Sequence, residues 1–229
     1  MKRFYSDVDV VSDGDDYHIS LDGRAAKTRA GASLAARSKR LMAAIAAEWR
    51  AQEENIDPDA MPLTRLQSTV IDLGDAQSGA WAERIVSFAE SDLLCYRAAE
   101  PAALVERQSS LWDPYLEWAR ATLQVRLVVA TGVMHVEQSA ASLDALRALL
   151  STFNPAQCLG GRLIAEATGS AVLTLAFLRG GYDADDVFAA SRVDETFQIE
   201  QWGEDAEAIA RAASVKQEFD AAVAFLNLI

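Results

Sequence analysis

The first thirty residues alternate apolar and polar side chains as short β-strands do. Residues 17–21 show this alternation, and Asp22 and Gly23 follow them. An Asp-Gly pair between two extended runs favours a tight hairpin turn, because glycine accepts a positive φ at little steric cost. We therefore predict a hairpin that returns through residues 25–27, with a further strand upstream at residues 8–11.

Helical spacing follows the predicted hairpin. Leu41, Ile45 and Trp49 recur at every fourth position within residues 39–54 and define one apolar face. Because Trp49 shares the face of two aliphatic residues, we predict that it packs in the core and has a structural role. Residues 55–62 contain two prolines and two aspartates, which indicates a loop.

A short helix is predicted immediately after this loop. The spacing of Thr64 and Gln67 fits a capping box, in which a hydroxyl and an amide satisfy unpaired N–H groups reciprocally. Gly74 is placed to end that helix. The boundary between a β-rich part and the rest of the chain is therefore predicted near residue 75.

The chain beyond residue 76 has helical patterns almost throughout. Residues 113–114 and 154–155 are Asp-Pro and Asn-Pro pairs, which favour helix starts, and Ser142 is a third candidate cap. Residues 125–130 are the one strand candidate in this part.

Two features mark the last third of the chain. The helix predicted after residue 155, which Arg179-Gly180-Gly181 would end, contains Gly160, Gly161 and Gly169, small residues that would let another backbone approach closely. Further helices are predicted over residues 183–201 and 205–226.

These elements predict an α+β fold class. A small β-rich N-terminal domain would occupy residues 1–75, and a larger helical C-terminal domain would occupy residues 76–229. The length of 229 residues, about half of them hydrophobic, is enough for such an arrangement.

The charge of the chain limits its partners. The formal net charge is −13, which repels the phosphates of nucleic acids and of anionic lipids. The longest uncharged run, residues 167–178, is too short to span a bilayer. We therefore expect neither nucleic-acid binding nor membrane insertion.

Cysteine and histidine usage argues against metal and disulfide chemistry. Cys95 and Cys158 lie in apolar stretches outside any CxxC pair, which is typical of buried free thiols. His18 and His135 have no histidine or cysteine at ligand spacing. The sequence also lacks phosphate-loop and nucleophile-elbow motifs. We expect no cofactor, no metal and no catalytic residue.

The segment 183–207 is unusually acidic, with nine acidic residues and only Arg192 as a basic one. Three interpretations stand. The acids are a solvated face with helix caps, among them Glu204 and Asp205 at the start of the last helix. Alternatively they dock a basic or polar partner surface, or they serve a carboxylate- or metal-dependent hydrolase. Trp202 within this segment fits either a core aromatic or an interface contact.

Several short strings occur in a fixed order along almost the whole chain from about Phe4. They are Leu21-Asp22-Gly23-Arg24, Glu48-Trp49-Arg50-Ala51-Gln52, Met61-Pro62-Leu63-Thr64, Ser91-Asp92-Leu93-Leu94-Cys95-Tyr96-Arg97, Gln108 with Trp112-Asp113-Pro114, Asp194-Glu195-Thr196-Phe197-Gln198, and Gln201-Trp202-Gly203-Glu204-Asp205. In this order and at these spacings they resemble the ATP-twelve family of ATP synthase assembly chaperones. The sequence departs from the family in lacking the proline that commonly follows the DGR string.

The resemblance implies a non-enzymatic chaperone that needs no nucleotide or metal. Such a protein binds the unassembled α subunit of ATP synthase and prevents its aggregation while the catalytic head assembles. It also implies that Trp49 and the acidic segment are important. Combined with the charge pattern, it predicts the partner-binding residues Glu195, Gln198, Glu200, Trp202 and Asp205.

The N-terminus bears on location. It has acidic residues among its first ten and no apolar stretch, unlike a secretory signal or a transit peptide. The family occurs in mitochondria and in related bacteria, so we expect the bacterial cytoplasm, with the mitochondrial matrix as the alternative.

Overall fold

The computed structural model describes residues 1–203 and 205–229, so the helix cap predicted at Glu204 lies outside the described residues. These residues divide into two compact units. The first unit comprises Met1–Ser78 and Asp220–Ile229, and the second comprises Gly79–Phe219. That residues 1–75 and 76–229 are separate folding domains stays a prediction.

The predicted α+β class is confirmed by the order of the elements. The strands are β1 (Val8–Asp13), β2 (Asp16–Leu21), β3 (Arg24–Ala25), β4 (Ala35–Ala36), β5 (Tyr96–Arg97) and β6 (Ala130–Thr131). The α-helices are α1 (Lys39–Arg50), α2 (Pro62–Glu90), α3 (Ala102–Trp118), α4 (Ala140–Leu150), α5 (Pro155–Thr168), α6 (Ala171–Leu178), α7 (Ala184–Ser191), α8 (Val193–Trp202) and α9 (Ala206–Leu228). No helix that the described residues form is both long and apolar enough to cross a bilayer.

The first unit is built around the predicted hairpin. β2 pairs antiparallel with β1, β3 and β4, and its register with β1 sets Val8 opposite Leu21. Asp22 and Gly23 both adopt positive φ, as the predicted turn requires. α1 packs on β1 and β2. Its residues Leu41 and Ile45 are fully buried and belong to the core of this unit.

The start of α2 is capped by a distant residue. Glu48 on α1 accepts hydrogen bonds from the backbone N–H groups of Leu63 and Thr64 at 2.7 and 2.8 Å, and from the Thr64 hydroxyl. Gln67 instead donates to the carbonyl of Ala35 on β4. The predicted capping box is therefore wrong, because both of its side chains are used by other elements. Gly74 does not end the helix, since the helix continues to Glu90.

The second unit has a helical core that includes Ile85, Leu146, Leu150 and Leu175. Trp112 on α3 is fully buried, and its indole N–H donates to the carbonyl of Ala190. The Asp113-Pro114 restart predicted from the sequence is wrong, because Pro114 lies inside α3 and Asp113 pairs with Arg97 at 2.7 Å.

The prediction of a strand over residues 125–130 is largely wrong, because side chains rather than a neighbouring strand make the hydrogen bonds of the backbone there. Ser142 both accepts from the N–H of Arg126 and donates to its carbonyl. Gln138 does the same for Val128. Only β6 forms, parallel to β5. Since Ser142 is occupied in this way, Ser139 caps α4 in its place.

Two predicted long helices are each broken into two. The capping box at Asn154 confirms the start of α5, but Gly169 adopts φ 69° and ends that helix, and Ser170 caps α6. A second break at Arg192 separates α7 from α8. Gly161 does allow close approach, but of the side chains of Leu178 and Ile85 rather than of a backbone.

Candidate functional site

One face of α8 is largely exposed and carries large apolar groups. Glu195, Gln198, Ile199 and Trp202 lie at helical positions i, i+3, i+4 and i+7, which share one side of a helix. Trp202 is 79% exposed and Ile199 is 42% exposed. We call these four residues the α8 face. Of the two interpretations of Trp202, a core aromatic or an exposed contact residue, the structure therefore supports the exposed one.

The opposite side of α8 attaches the helix to α3. Val193 and Phe197 are buried there. Asp194 accepts a hydrogen bond of 2.7 Å from the side chain of Gln108. Arg107 holds the carboxylate of Glu200 through two hydrogen bonds of 3.0 and 2.8 Å. These contacts fix the orientation of the helix, so the α8 face points outward.

The bidentate pair between Arg107 and Glu200 also favours the ionised form of both groups. Hydrogen bonding from Arg107 lowers the pKa of Glu200 below its ordinary value, and Glu200 raises the pKa of Arg107. Glu200 is thus an ionised residue on the side of α8 opposite the α8 face, already engaged by a guanidinium.

The remaining acidic site residues have different local roles. Glu195 is 3.2 Å from Arg192, one turn earlier on the chain. Asp205 is exposed, and its carboxylate accepts from the backbone N–H of Ala208, so it caps the start of α9. On α9, Ile209 is a further exposed apolar residue, with 46% of its surface exposed.

The acids of this segment do not converge on one point. Asp194, Glu195 and Glu200 each contact a different partner, namely Gln108, Arg192 and Arg107. Across residues 1–203 and 205–229, no three histidine, cysteine or acidic side chains come together in a way that could hold a metal ion. The described part of the segment is therefore a charged surface with exposed apolar groups.

Trp49 differs from its predicted place. Its ring is half-buried and packs edge-on against Tyr5, whose hydroxyl donates to the carbonyl of Trp49 at 2.7 Å. One part of the ring lines an open groove of the first unit. The indole N–H is buried and has no hydrogen-bond partner among the described residues.

Asp92 is a buried group to which the sequence analysis assigned no role of its own. Its carboxylate accepts from the backbone N–H groups of Leu94 and Val172, both at 3.1 Å, and so caps the start of α6. Burial raises the pKa of Asp92 from its ordinary 3.8 to about 6. Burial likewise raises the pKa of the Cys95 thiol to about 12, so Cys95 is an unreactive buried thiol, as predicted.

Ile199 is the site residue that sequence analysis missed. Its spacing from Glu195 and Trp202 would have revealed it, but the prediction of one helix over 183–201 obscured where the outward face lies. Arg107 was missed as well. No local pattern links it to Glu200, which lies 93 residues further along the chain.

Comparison with known proteins identifies close relatives of the whole chain. The family model described as ATP12 chaperone protein matches residues 2–120. Atp12 from Paracoccus denitrificans shares 37% identity, with a TM-score of 0.93 over 99% of this chain and 97% of that one. A protein of Agrobacterium tumefaciens shares 38% identity, with a TM-score of 0.92 over 99% and 85%. The mitochondrial protein atp12 of Schizosaccharomyces pombe is 23% identical over 88% of this chain and 74% of its own length.

Proposed function

The chain belongs to the ATP12 family of ATP synthase assembly chaperones, and we propose that its client is the unassembled α subunit of the enzyme. In this proposal the protein covers an aggregation-prone surface of the α subunit until the catalytic head assembles. It acts by binding alone and catalyses no reaction.

The observation that carries the proposal is the exposed α8 face. Trp202 and Ile199 place apolar area in water, and an exposed apolar patch with a polar rim is typical of a protein-binding surface. Glu195, Gln198 and Asp205 supply that rim, and Glu200 adds a negative charge on the other side of the same helix, where Arg107 holds it. A hydrolase is disfavoured, because the carboxylates diverge.

We further propose that the protein works in the bacterial cytoplasm. Two of its close structural relatives come from bacteria, Paracoccus denitrificans and Agrobacterium tumefaciens. The relative from Schizosaccharomyces pombe is a mitochondrial protein, which makes the mitochondrial matrix the alternative.

Co-expression with the α subunit tests the proposal. We expect a soluble complex that co-elutes in size-exclusion chromatography at micromolar concentration. The intact catalytic head should form no stable complex, because the β subunit then occupies the client surface. The isolated β subunit serves as the control. Separate elution of the chaperone and the α subunit would contradict the proposal.

Charge reversal tests whether the acids of α8 contribute to docking. We expect Glu195→Lys and Glu200→Lys each to weaken binding of the α subunit about tenfold at low salt, because acids at an interface steer and hold a basic partner surface. The loss should lessen as salt rises, since screening weakens both attraction and repulsion. Binding isotherms at two salt concentrations, paired with thermal melts, measure this.

Glu83→Lys is the matched control for charge reversal. Glu83 is an exposed acid of the same unit that also pairs with an arginine, Arg147, at 3.1 Å. The Glu83→Lys variant should bind the α subunit with the affinity of the wild type. If all three variants bind equally, the acids of α8 form only a solvated face.

A further inference from the structure

A groove of about 870 Å³ in the first unit has no role in the function described so far. Its apolar lining includes Trp49, Ile56, Met61 and Leu73, and Leu73 is 48% exposed. The volume lies within the range of about 300–1,000 Å³ that is usual for ligand sites. The groove is therefore large enough to take a bulky apolar side chain together with its neighbours.

An arginine is held in position at this groove. Asp72 on α2 accepts from the hydroxyl of Thr28 at 2.5 Å and from the backbone N–H of Ala30 at 3.2 Å. A backbone hydrogen bond from Gly31 to Thr28 closes the turn between them. The turn is thus fixed on both sides of Arg29, which lines the groove. Arg29 itself makes no ion pair or hydrogen bond with any residue that the structure describes.

A second guanidinium makes the groove favourable for a carboxylate. Arg65 also lines it and has only a long contact of 3.7 Å with Asp59, whose side chain is 94% exposed. Asp72 is the one acid among the described lining residues, and both of its oxygens face the Thr28–Ala30 turn. In a chain of net charge −13, two weakly engaged arginines give this groove a locally positive character. Guanidinium groups bind carboxylates through two parallel hydrogen bonds.

Hydroxyl groups on α2 favour a polypeptide over a simple fatty acid. Thr64, Ser68 and Thr69 all line the groove. Thr64 donates to Glu48 and Thr69 donates to the carbonyl of Arg65, whereas the Ser68 hydroxyl has no partner among the residues that the structure describes. An extended peptide brings main-chain N–H and C=O groups that need hydrogen bonds, and the Ser68 hydroxyl is available to make one. A hydrocarbon chain needs none.

We propose that this groove binds a segment of the client subunit in which a bulky apolar side chain adjoins an Asp or Glu. The apolar side chain contacts Trp49 and Met61, and the acidic side chain pairs with Arg29. This inference rests on the proposed function, because it takes the α subunit as the client. It adds a binding site of opposite charge to the acidic residues of α8.

Substitution of Arg29 tests the inference in the full-length protein. We expect Arg29→Glu to weaken binding of the isolated α subunit at least tenfold, and Arg29→Gln to weaken it less, because Gln removes the charge without adding repulsion. Arg40→Glu is the matched control, since Arg40 is an exposed arginine of α1 that does not line the groove and has no partner in the described part of the chain. The Arg40→Glu variant should change the affinity for the α subunit less than twofold. The wild type and all three variants should have the same melting temperature.

The possible failures are distinguishable. If the wild type does not bind the α subunit, the proposed function fails and the inference fails with it. If the wild type binds while Arg29→Glu and Arg40→Glu behave alike, the inference alone is overturned. A fatty acid as the occupant of the groove is tested by a calorimetric titration with dodecanoate. Saturable binding that Arg29→Glu abolishes, with unchanged affinity for the α subunit, would assign the groove to a lipid and overturn the inference.

Discussion

Trp202→Ala should weaken binding of the α subunit by about 30- to 150-fold, roughly 2–3 kcal/mol of binding free energy, while the free protein remains as stable as before. The side chain is 79% exposed, so its removal takes little from the folded chaperone. At an interface an aromatic residue buries about 150–250 Å², which contributes on the order of 4–6 kcal/mol at about 25 cal/mol per Å². Ordering costs reduce the net value.

Binding isotherms and denaturant melts measure the two effects separately. Phe4→Ala is a suitable control, because Phe4 is also an exposed aromatic residue, 63% exposed, and belongs to the first unit. Ile199→Ser should show a smaller loss of affinity than Trp202→Ala, in line with its smaller apolar surface. Unchanged affinity in both α8 variants would show that the client binds elsewhere. A lowered midpoint of unfolding would show that Trp202 serves the fold.

Asp92→Asn should remove a pH dependence of stability that the wild type has. Burial raises the pKa of this carboxyl from 3.8 to about 6, so the folded state binds the proton more tightly than the unfolded state. The stability that Asp92 contributes is therefore fully present below about pH 4 and declines as the pH rises to about 6. A difference of 2.2 pKa units (6 minus 3.8) corresponds to about 3 kcal/mol at 1.36 kcal/mol per unit.

Urea unfolding at several pH values between about 4 and 7 tests this expectation. Asp92→Asn should gain stability relative to the wild type as the pH rises. Asp92→Ala should be destabilised throughout by about 2–4 kcal/mol, because the N–H groups of Leu94 and Val172 lose their buried acceptor.

Asp22→Asn is a control in which the pH dependence of stability should have the opposite sign. Hydrogen bonds from the backbone of Asp7 and Ser6 lower the pKa of Asp22, so the stability it contributes is present at neutral pH and is lost as the pH falls. The advantage of the wild type over Asp22→Asn should therefore shrink in acid. If the stability of the Asp92→Asn and Asp22→Asn variants relative to the wild type changes with pH in the same direction, the pKa of Asp92 is not raised in the folded protein.

Local sequence patterns were sufficient for only part of the first unit. The hairpin turn at Asp22 and Gly23 and the burial of Leu41 and Ile45 on α1 follow from residues a few positions apart, and each was predicted correctly, whereas Trp49 is only half-buried. The capping box at Asn154 belongs to the same class. In these cases the groups that satisfy the backbone are neighbours in sequence, so their spacing contains the information.

The ordered strings of the whole chain also determined the family, which the comparisons confirm. They pointed to residues 194–205 as important. The patterns within that segment left open whether Trp202 is buried, because an aromatic residue at a helix end suits a core and a surface equally.

Tertiary structure decided the elements whose hydrogen bonds join distant residues. Glu48 caps α2, Ser142 and Gln138 satisfy the backbone that had resembled a strand, and Asp92 caps α6 from 80 residues away. Contacts of α8 with Arg107 and Gln108 likewise determine which side of that helix faces water. No spacing rule encodes such pairings, because the partners meet only after the chain has folded. The amino-acid sequence by itself thus determined the class, the family and the local turns, whereas burial and exposure of the site residues depended on long-range contacts.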